Sequence, residues 1–359
     1  MDRERHIGSL DGLRGIAAAG VIVAHVNLMF PSALSMPIRD IGSNAVGLFF
    51  ALSGFLMAYI YGNRPLSPKS CADFLVTRFA RIYPVYIAAV LAIALLSLFQ
   101  DLNYFQPING IGQVLRHMAL MGSSGVFWSV PPEIQFYLLF PLIWLFLSNP
   151  IRYRNIAIAI AIFLALDGLL GFPGSGIMLP SKLPFFLFGV VAGRMHRRID
   201  RQEPNIIIGM LALLLPLFLL VRQGVAPQTA SSLWDMATAF AAALSVFLVA
   251  LEHPISVVAF GAAPLRFAGR ISFSLYLFHA PALFLVEKTL GGTAPSDLVI
   301  PVGVATAFGL ACVSYYVIEV PARRFLVSRW KRHREDAKWL GKLDAAQAPA
   351  IFSSRRTRM

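Results

Sequence analysis

Charge is scarce in this chain. Only 14% of its 359 residues are Asp, Glu, Lys or Arg, against about 25% in an ordinary soluble domain. With a hydrophobic fraction of 57%, the composition excludes a water-soluble globular protein. Cysteine is scarcer still. Cys71 lies in a basic loop and Cys312 in an apolar run, which argues against a disulfide framework and a zinc site alike. No clustered spacing of His and Asp suggests metal ligands, which makes a metalloenzyme the least favoured reading. The chain also lacks the short alternating segments of a membrane β-barrel. It has no stretch long and polar enough for a separate soluble module, and no internal repeat of the sort that marks many transporters.

What is present is a series of apolar runs near the length of a bilayer crossing. The expected fold class is all-α, a polytopic membrane protein of about ten transmembrane helices. The spans are expected near residues 10–30, 44–62, 82–100, 132–148, 155–172, 183–195, 205–221, 232–251, 271–288 and 298–318. The net charge is +13. Arg and Lys concentrate in alternate connections, including Arg78, Arg81, Arg152, Arg194 and Arg270, and in the tail. The opposite connections carry few, among them Arg39, Arg116 and Lys182. The positive-inside rule then puts both termini in the cytoplasm. Basic residues dispersed in this way signal topology and contact with anionic lipid, not nucleic acid. Arg3 and Arg5 precede a first run that reads as an uncleaved helix. Residues 1–330 form the membrane domain. The tail, 331–359, is basic and expected to be partly disordered.

Ionisable residues inside apolar runs cost several kcal/mol in a bilayer and are candidates for function. The stretch Leu10–Phe30 holds Asp11, Arg14 and His25. Arg14 and His25 are about three helical turns apart, so they share a face at a separation of roughly 16 Å. His is suited to take a proton from a hydroxyl. Ser53-Gly54, in the second run, reads as a close-packing point between helices; it lacks the setting of a nucleophile elbow. Arg78 and Arg81 stand at i, i+3 on one helix face and could grip phosphate. In Phe127–Pro141, Pro131-Pro132 starts a helix with Glu133 in its first turn. Trp128, Ser129 and Tyr137 flank it, with Trp128 and Tyr137 also readable as interfacial anchors. Ser272, Tyr276 and His279 share a face of a later span, and Glu319 lies near the cytoplasmic boundary beside Arg323.

Six pieces of the chain, in order, resemble the acyltransferase-3 family of integral membrane acyltransferases. They are LDGLRGIAAAGVIVAH, FFALSGF, RFARIYP, FWSVPPEIQFYLLFP, ISFSLYLFH and IEVPARR, and the likeness covers about residues 8–325. Pro131-Pro132-Glu133-Ile134 departs from the Ser-Val-Glu-Glu of many members, keeping Glu133 alone as the acid. No esterase-like domain follows, as in stand-alone members. The resemblance implies transfer of an acyl group, commonly acetyl, from a cytoplasmic acyl-CoA co-substrate, with no tightly bound cofactor or metal. The acceptor it implies is a hydroxyl of a surface or exported carbohydrate such as exopolysaccharide, O-antigen or a lipid-linked oligosaccharide. It implies a bacterial inner-membrane location. Arg14 and His25 correspond to the family's essential pair, and Arg78 and Arg81 to its cytoplasmic arginines. On this reading His25 is a general base, Arg14 steadies an oxyanion or holds CoA, and Glu133 positions sugar or imidazole. The competing expectations are a transporter or flippase of a sugar-lipid or anion, and a membrane scaffold working through its tail.

Overall fold

The computed structural model describes residues 6–31, 40–99, 103–170, 176–198, 205–222 and 236–347, with side chains up to residue 334. Arg3, Arg5 and Arg39 lie outside the described residues, as does the tail beyond Gln347. The described chain is helical, with no strand. In order the helices are α1 (Gly8–Met29), α2 (Ile41–Tyr61), α3 (Pro68–Ser97), α4 (Gly110–Met118), α5 (Val130–Ser148), α6 (Arg154–Leu169) and α7 (Leu183–His196). Then follow α8 (Ile206–Val221), α9 (Met236–Ala250), α10 (Pro254–Phe260), α11 (Ala263–Arg270), α12 (Ser272–Leu290), α13 (Ser296–Ser314) and α14 (Val320–Gln347).

Among the described residues, each of the ten expected apolar runs is helical over most of its length. Fewer meet the length and apolarity of a membrane crossing. Among the described residues five stretches do, and seven if the bent pairs α9–α10 and α11–α12 each count as one. Helices α6, α7 and α8 have 16, 14 and 16 residues, short of the roughly 20 that a straight crossing takes. α14 continues the chain to Gln347, through the first part of the segment read as tail.

Small residues let the central helices touch. α2 and α7 make the most extensive helix pair, and a methyl group at Gly54 would overlap the backbone of Phe186. Ser53-Gly54 is thus the close-packing point its composition suggests. α1 packs on α10 and α11 in the same manner, Gly12 against Phe260 at the end of α10 and Gly269 of α11 against Asp11. Rings lock α2, α5 and α7 together: Phe136 stacks on Phe186 at 4.2 Å, and Phe50 lies 4.7 Å from Phe186. Outward-facing Leu91, Leu95, Leu138 and Leu142 are exposed, as suits helices bathed in lipid.

Two starts differ from the expectation. α3 begins at Pro68, behind a capping box in which Ser67 and Ser70 satisfy each other's backbone N–H. Arg78 and Arg81, read as loop charges, therefore stand within a helix. The segment before α5 also folds inward. The Tyr86 hydroxyl donates to the His117 carbonyl at 2.9 Å, and Tyr83 donates to Met118 at 2.9 Å. The beginning of α5 is drawn into the bundle.

Filling the α2–α7 crossing should be costly. Gly54→Leu is expected to lower stability by about 1–3 kcal/mol through overpacking. Gly112→Ala, where nothing lies within 4 Å, should be neutral or stabilising by up to about 1 kcal/mol. Thermal unfolding in detergent checks both.

Candidate functional site

The polar residues converge on two spaces on either side of a wall. The inner one is a narrow cavity of about 60 Å³, lined by Arg14, Ser53, Arg78, Arg81, Glu133 and Ser272 among others. Arg14 donates from Nη2 to the Ser272 hydroxyl at 3.1 Å. Glu133 accepts at one oxygen from Ser53 at 2.6 Å and from Tyr137 at 2.5 Å. These are charge-assisted bonds in a dry setting, the stronger sort. Glu133 is therefore held by side chains from its own helix and α2. The cation set is incompletely satisfied: Nε of Arg14 and Nε of Arg78 are buried without a hydrogen-bond partner. Buried polar atoms left unpaired are costly, so the cavity is chemically ready for an anionic or carbonyl-bearing ligand.

The second space is an outer cleft of about 470 Å³. His25, Asn27, Ser43, Gln106, Trp128 and Tyr276 are among its lining residues. An aromatic face ringed by amides and hydroxyls suits a polyhydroxylated ligand. Tyr276 borders both spaces. Its hydroxyl donates to the Val126 carbonyl at 2.8 Å and accepts from Ser129 at 2.9 Å, so the two make a polar wall between the cavity and the cleft.

His25 is tied on one edge. Its Nδ1 lies 3.0 Å from the Val21 carbonyl and 3.1 Å from Nε2 of His279. The two rings meet edge to face, centroids 4.6 Å apart at 81°. His279 is fully buried, and its Nδ1 faces the carbonyls of Tyr276 at 2.8 Å and Leu275 at 3.1 Å.

A larger groove of about 870 Å³ runs between α3, α5 and α14. Leu75, Phe79 and Leu138 supply apolar lining, and Arg329 and Arg332 supply positive charge beside His333. Tyr137, whose hydroxyl holds Glu133, lies along the same groove. α14 is fastened to α3 by Trp330 Nε1, which donates to Asp73 at 2.8 Å, and by an Arg334–Asp73 ion pair.

Most of the expected residues are brought together, though not all as expected. Arg14 and His25 share a face of α1 but open into different spaces. Asp11 faces away from the cavity, within 3.0 Å of His6. Tyr137 is buried at 3% exposure, which rules out an interfacial anchor; Trp128 meets Phe50 edge-on at 6.4 Å. Glu319 is not part of a surface ion pair. A π-helical turn, Tyr315–Glu319, rotates it inward, where Ser274 donates to it at 2.7 Å. Such turns recur at functional sites. Asn27, Ser43, Gln106 and Ser274 escaped the sequence reading, because isolated polar residues near helix ends carry no spacing signal.

The clamp on Glu133 can be tested directly. Tyr137→Phe removes one donor from a buried carboxylate and should lower stability by about 1–3 kcal/mol, read by thermal unfolding.

Comparison with known proteins identifies relatives of the chain. A family model described as an acyltransferase domain, Acyl_transf_3, matches residues 7–318. Peptidoglycan O-acetyltransferase OatA of Listeria monocytogenes is 26% identical over 89% of this chain and 56% of its own length. O-acetyltransferase OatA of Staphylococcus aureus is 26% identical over 89% of this chain and 58% of its own. Protein 2 in the picA locus of Rhizobium radiobacter is 43% identical over 24% of this chain and 42% of its own. The chain thus spans little more than half the length of the two O-acetyltransferases. No solved structure matches. The helical bundle, the buried arginines and imidazole, and a family match over most of the sequence agree: the chain belongs to the acyltransferase-3 family.

Proposed function

We propose that this protein is a multi-pass membrane O-acyltransferase. On this reading it moves an acyl group, acetyl by default, from a cytoplasmic acyl-CoA to a hydroxyl of a surface or exported carbohydrate. The observation that carries the reading is the division of labour across the Tyr276–Ser129 wall. Arginines with unsatisfied N–H groups line a narrow inner cavity, and an imidazole faces a roomier polar cleft. A carbohydrate acceptor draws support from the relative named for acting on peptidoglycan.

The inner cavity, at about 60 Å³, is too small for a whole coenzyme A, and on this reading only the thioester end of the donor reaches it. The groove along α3, α5 and α14 has the room and the positive charge for the phosphate-bearing end. Both termini, and that groove with them, then face the cytoplasm. Arg14 and His25 are separated by roughly 16 Å of helix, a length of the order of an extended pantetheine arm. Arg14, Arg78 and Arg81 belong on this reading to the donor side, and Trp128, Asn27 and Gln106 to the acceptor side.

His25 is the group placed to act as base. With Nδ1 against the Val21 carbonyl, its other nitrogen, Nε2, holds the lone pair. It takes the proton of the acceptor hydroxyl as that oxygen bonds to the thioester carbonyl carbon. The carbon–sulfur bond then breaks, and the proton passes from Nε2 to the departing thiolate. Glu133, held by Ser53 and Tyr137, lines the same cavity as Arg14, Arg78 and Arg81.

The test is label transfer in membranes from radiolabelled acetyl-CoA to endogenous glycan. Wild type should yield base-labile ester, and His25→Ala at equal expression should fall by about 100-fold or more. Arg78→Ala and Arg81→Ala should chiefly raise KM for acetyl-CoA. Equal labelling by wild type and His25→Ala would overturn the role of His25. Movement of a sugar-lipid with no requirement for acyl-CoA would favour a transporter.

A further inference from the structure

We infer that His279 is the positioning residue that fixes the tautomer of His25 and shares the charge His25 acquires during transfer. The inference rests on the reading of His25 as the base.

The argument starts at the buried end of the pair. Nδ1 of His279 faces two backbone carbonyl oxygens, at 2.8 and 3.1 Å. A carbonyl oxygen only accepts, so Nδ1 carries the hydrogen. The opposite tautomer would aim a lone pair at two oxygens in a site with no exposure to water, which low dielectric makes expensive. A neutral His279 therefore presents a bare Nε2, and that atom lies 3.1 Å from Nδ1 of His25. His25 Nδ1 also faces the Val21 carbonyl at 3.0 Å. Two acceptors converge on one ring nitrogen, so that nitrogen carries its hydrogen and shares it between them. The lone pair of His25 is then confined to Nε2.

This is the service a carboxylate performs for histidine in other hydrolytic and transfer sites: it selects the tautomer, holds the ring and steadies the imidazolium. Here a neutral imidazole and a carbonyl do it together. When Nε2 of His25 takes the proton of the acceptor hydroxyl, the positive charge spreads to Nδ1–H, which already points at His279. His279 accepts that bond at Nε2, while its Nδ1–H stays on the carbonyls of Tyr276 and Leu275. A neutral partner suits an apolar surrounding, since no additional charge is buried between transfers. The arrangement also links the base to the wall. The residue whose carbonyl holds His279, Tyr276, is the one whose hydroxyl bonds Val126 and Ser129 between the two spaces.

The experiment compares wild type, His25→Ala, His279→Leu and His279→Gln in purified full-length protein, with acetyl-CoA and a carbohydrate acceptor. His279→Leu should lower kcat by about 10- to 100-fold, with KM for both substrates within twofold of wild type. His279→Gln, whose amide oxygen can accept from His25, should recover most of that loss. Full kcat in His279→Leu, equal loss in the Leu and Gln variants, or a loss confined to KM would each overturn the inference. Retained activity in His25→Ala would overturn the underlying reading of the base, and is distinguished because it does not involve His279. An independent measurement needs no variant. Ring ¹⁵N spectra of the wild-type protein should show His25 protonated at Nδ1 and bare at Nε2; a His25 ring carrying its hydrogen on Nε2 would contradict the assignment.

Discussion

Everything in this protein answers to the difficulty of keeping ionisable side chains away from water. Arg14, Arg78, Glu133, His279 and Glu319 are held inside a helical bundle, where an unpartnered charge costs several kcal/mol. The bundle meets that demand by pairing them across helices. Ser53 of α2 reaches Glu133 of α5, Ser272 of α12 meets Arg14 of α1, and Ser274 of α12 meets Glu319. Hydroxyl groups at these distances require helices that nearly touch. Glycine contacts beside these residues, Gly54 of α2 on α7 and Gly12 and Gly269 between α1 and α10 or α11, pack the neighbouring helices just as closely. Packing and chemistry are therefore one problem here, and the small residues serve the polar ones.

The result is two compartments in place of one. Arg14 and His25 belong to the same helix and face, yet a hydrogen-bonded wall of Tyr276, Ser129 and the Val126 carbonyl separates the space in front of each. A reaction that joined a donor from one side to an acceptor from the other would need such a division, to keep a reactive thioester from water until the acceptor hydroxyl is in place. Tyr276 borders both spaces.

Regular helices made part of this legible in advance. The spacing of Arg14 and His25 on α1, and of Ser272, Tyr276 and His279 on α12, needs only 3.6 residues per turn, and in both cases the side chains share a face of one unbroken helix. The closeness at Ser53-Gly54 likewise follows from residue size. The depth of a residue was harder to read. Hydropathy starts the third span after Arg81, because Lys69, Arg78 and Arg81 depress the average; the stop-and-start signal of Ser67-Pro68, which begins α3, is a matter of capping and not of hydrophobicity. Glu133 opens a helix, and the inward fold anchored by Tyr83 and Tyr86, which carries that opening into the bundle, has no signature in the spacing of residues. Glu319 turns inward through one π-helical turn, a local change of twist that residue identity does not announce. The outer cleft joins residues from five separate segments, so no single stretch records it.

The central claim is that donor and acceptor approach from opposite faces and meet at His25. It is tested most directly in sealed proteoliposomes in which the basic tail faces outward, with labelled acetyl-CoA outside and a carbohydrate acceptor trapped within. The account predicts that acetyl ester accumulates on the enclosed acceptor while CoA is released outside. Ester formation only when donor and acceptor share one compartment would contradict it.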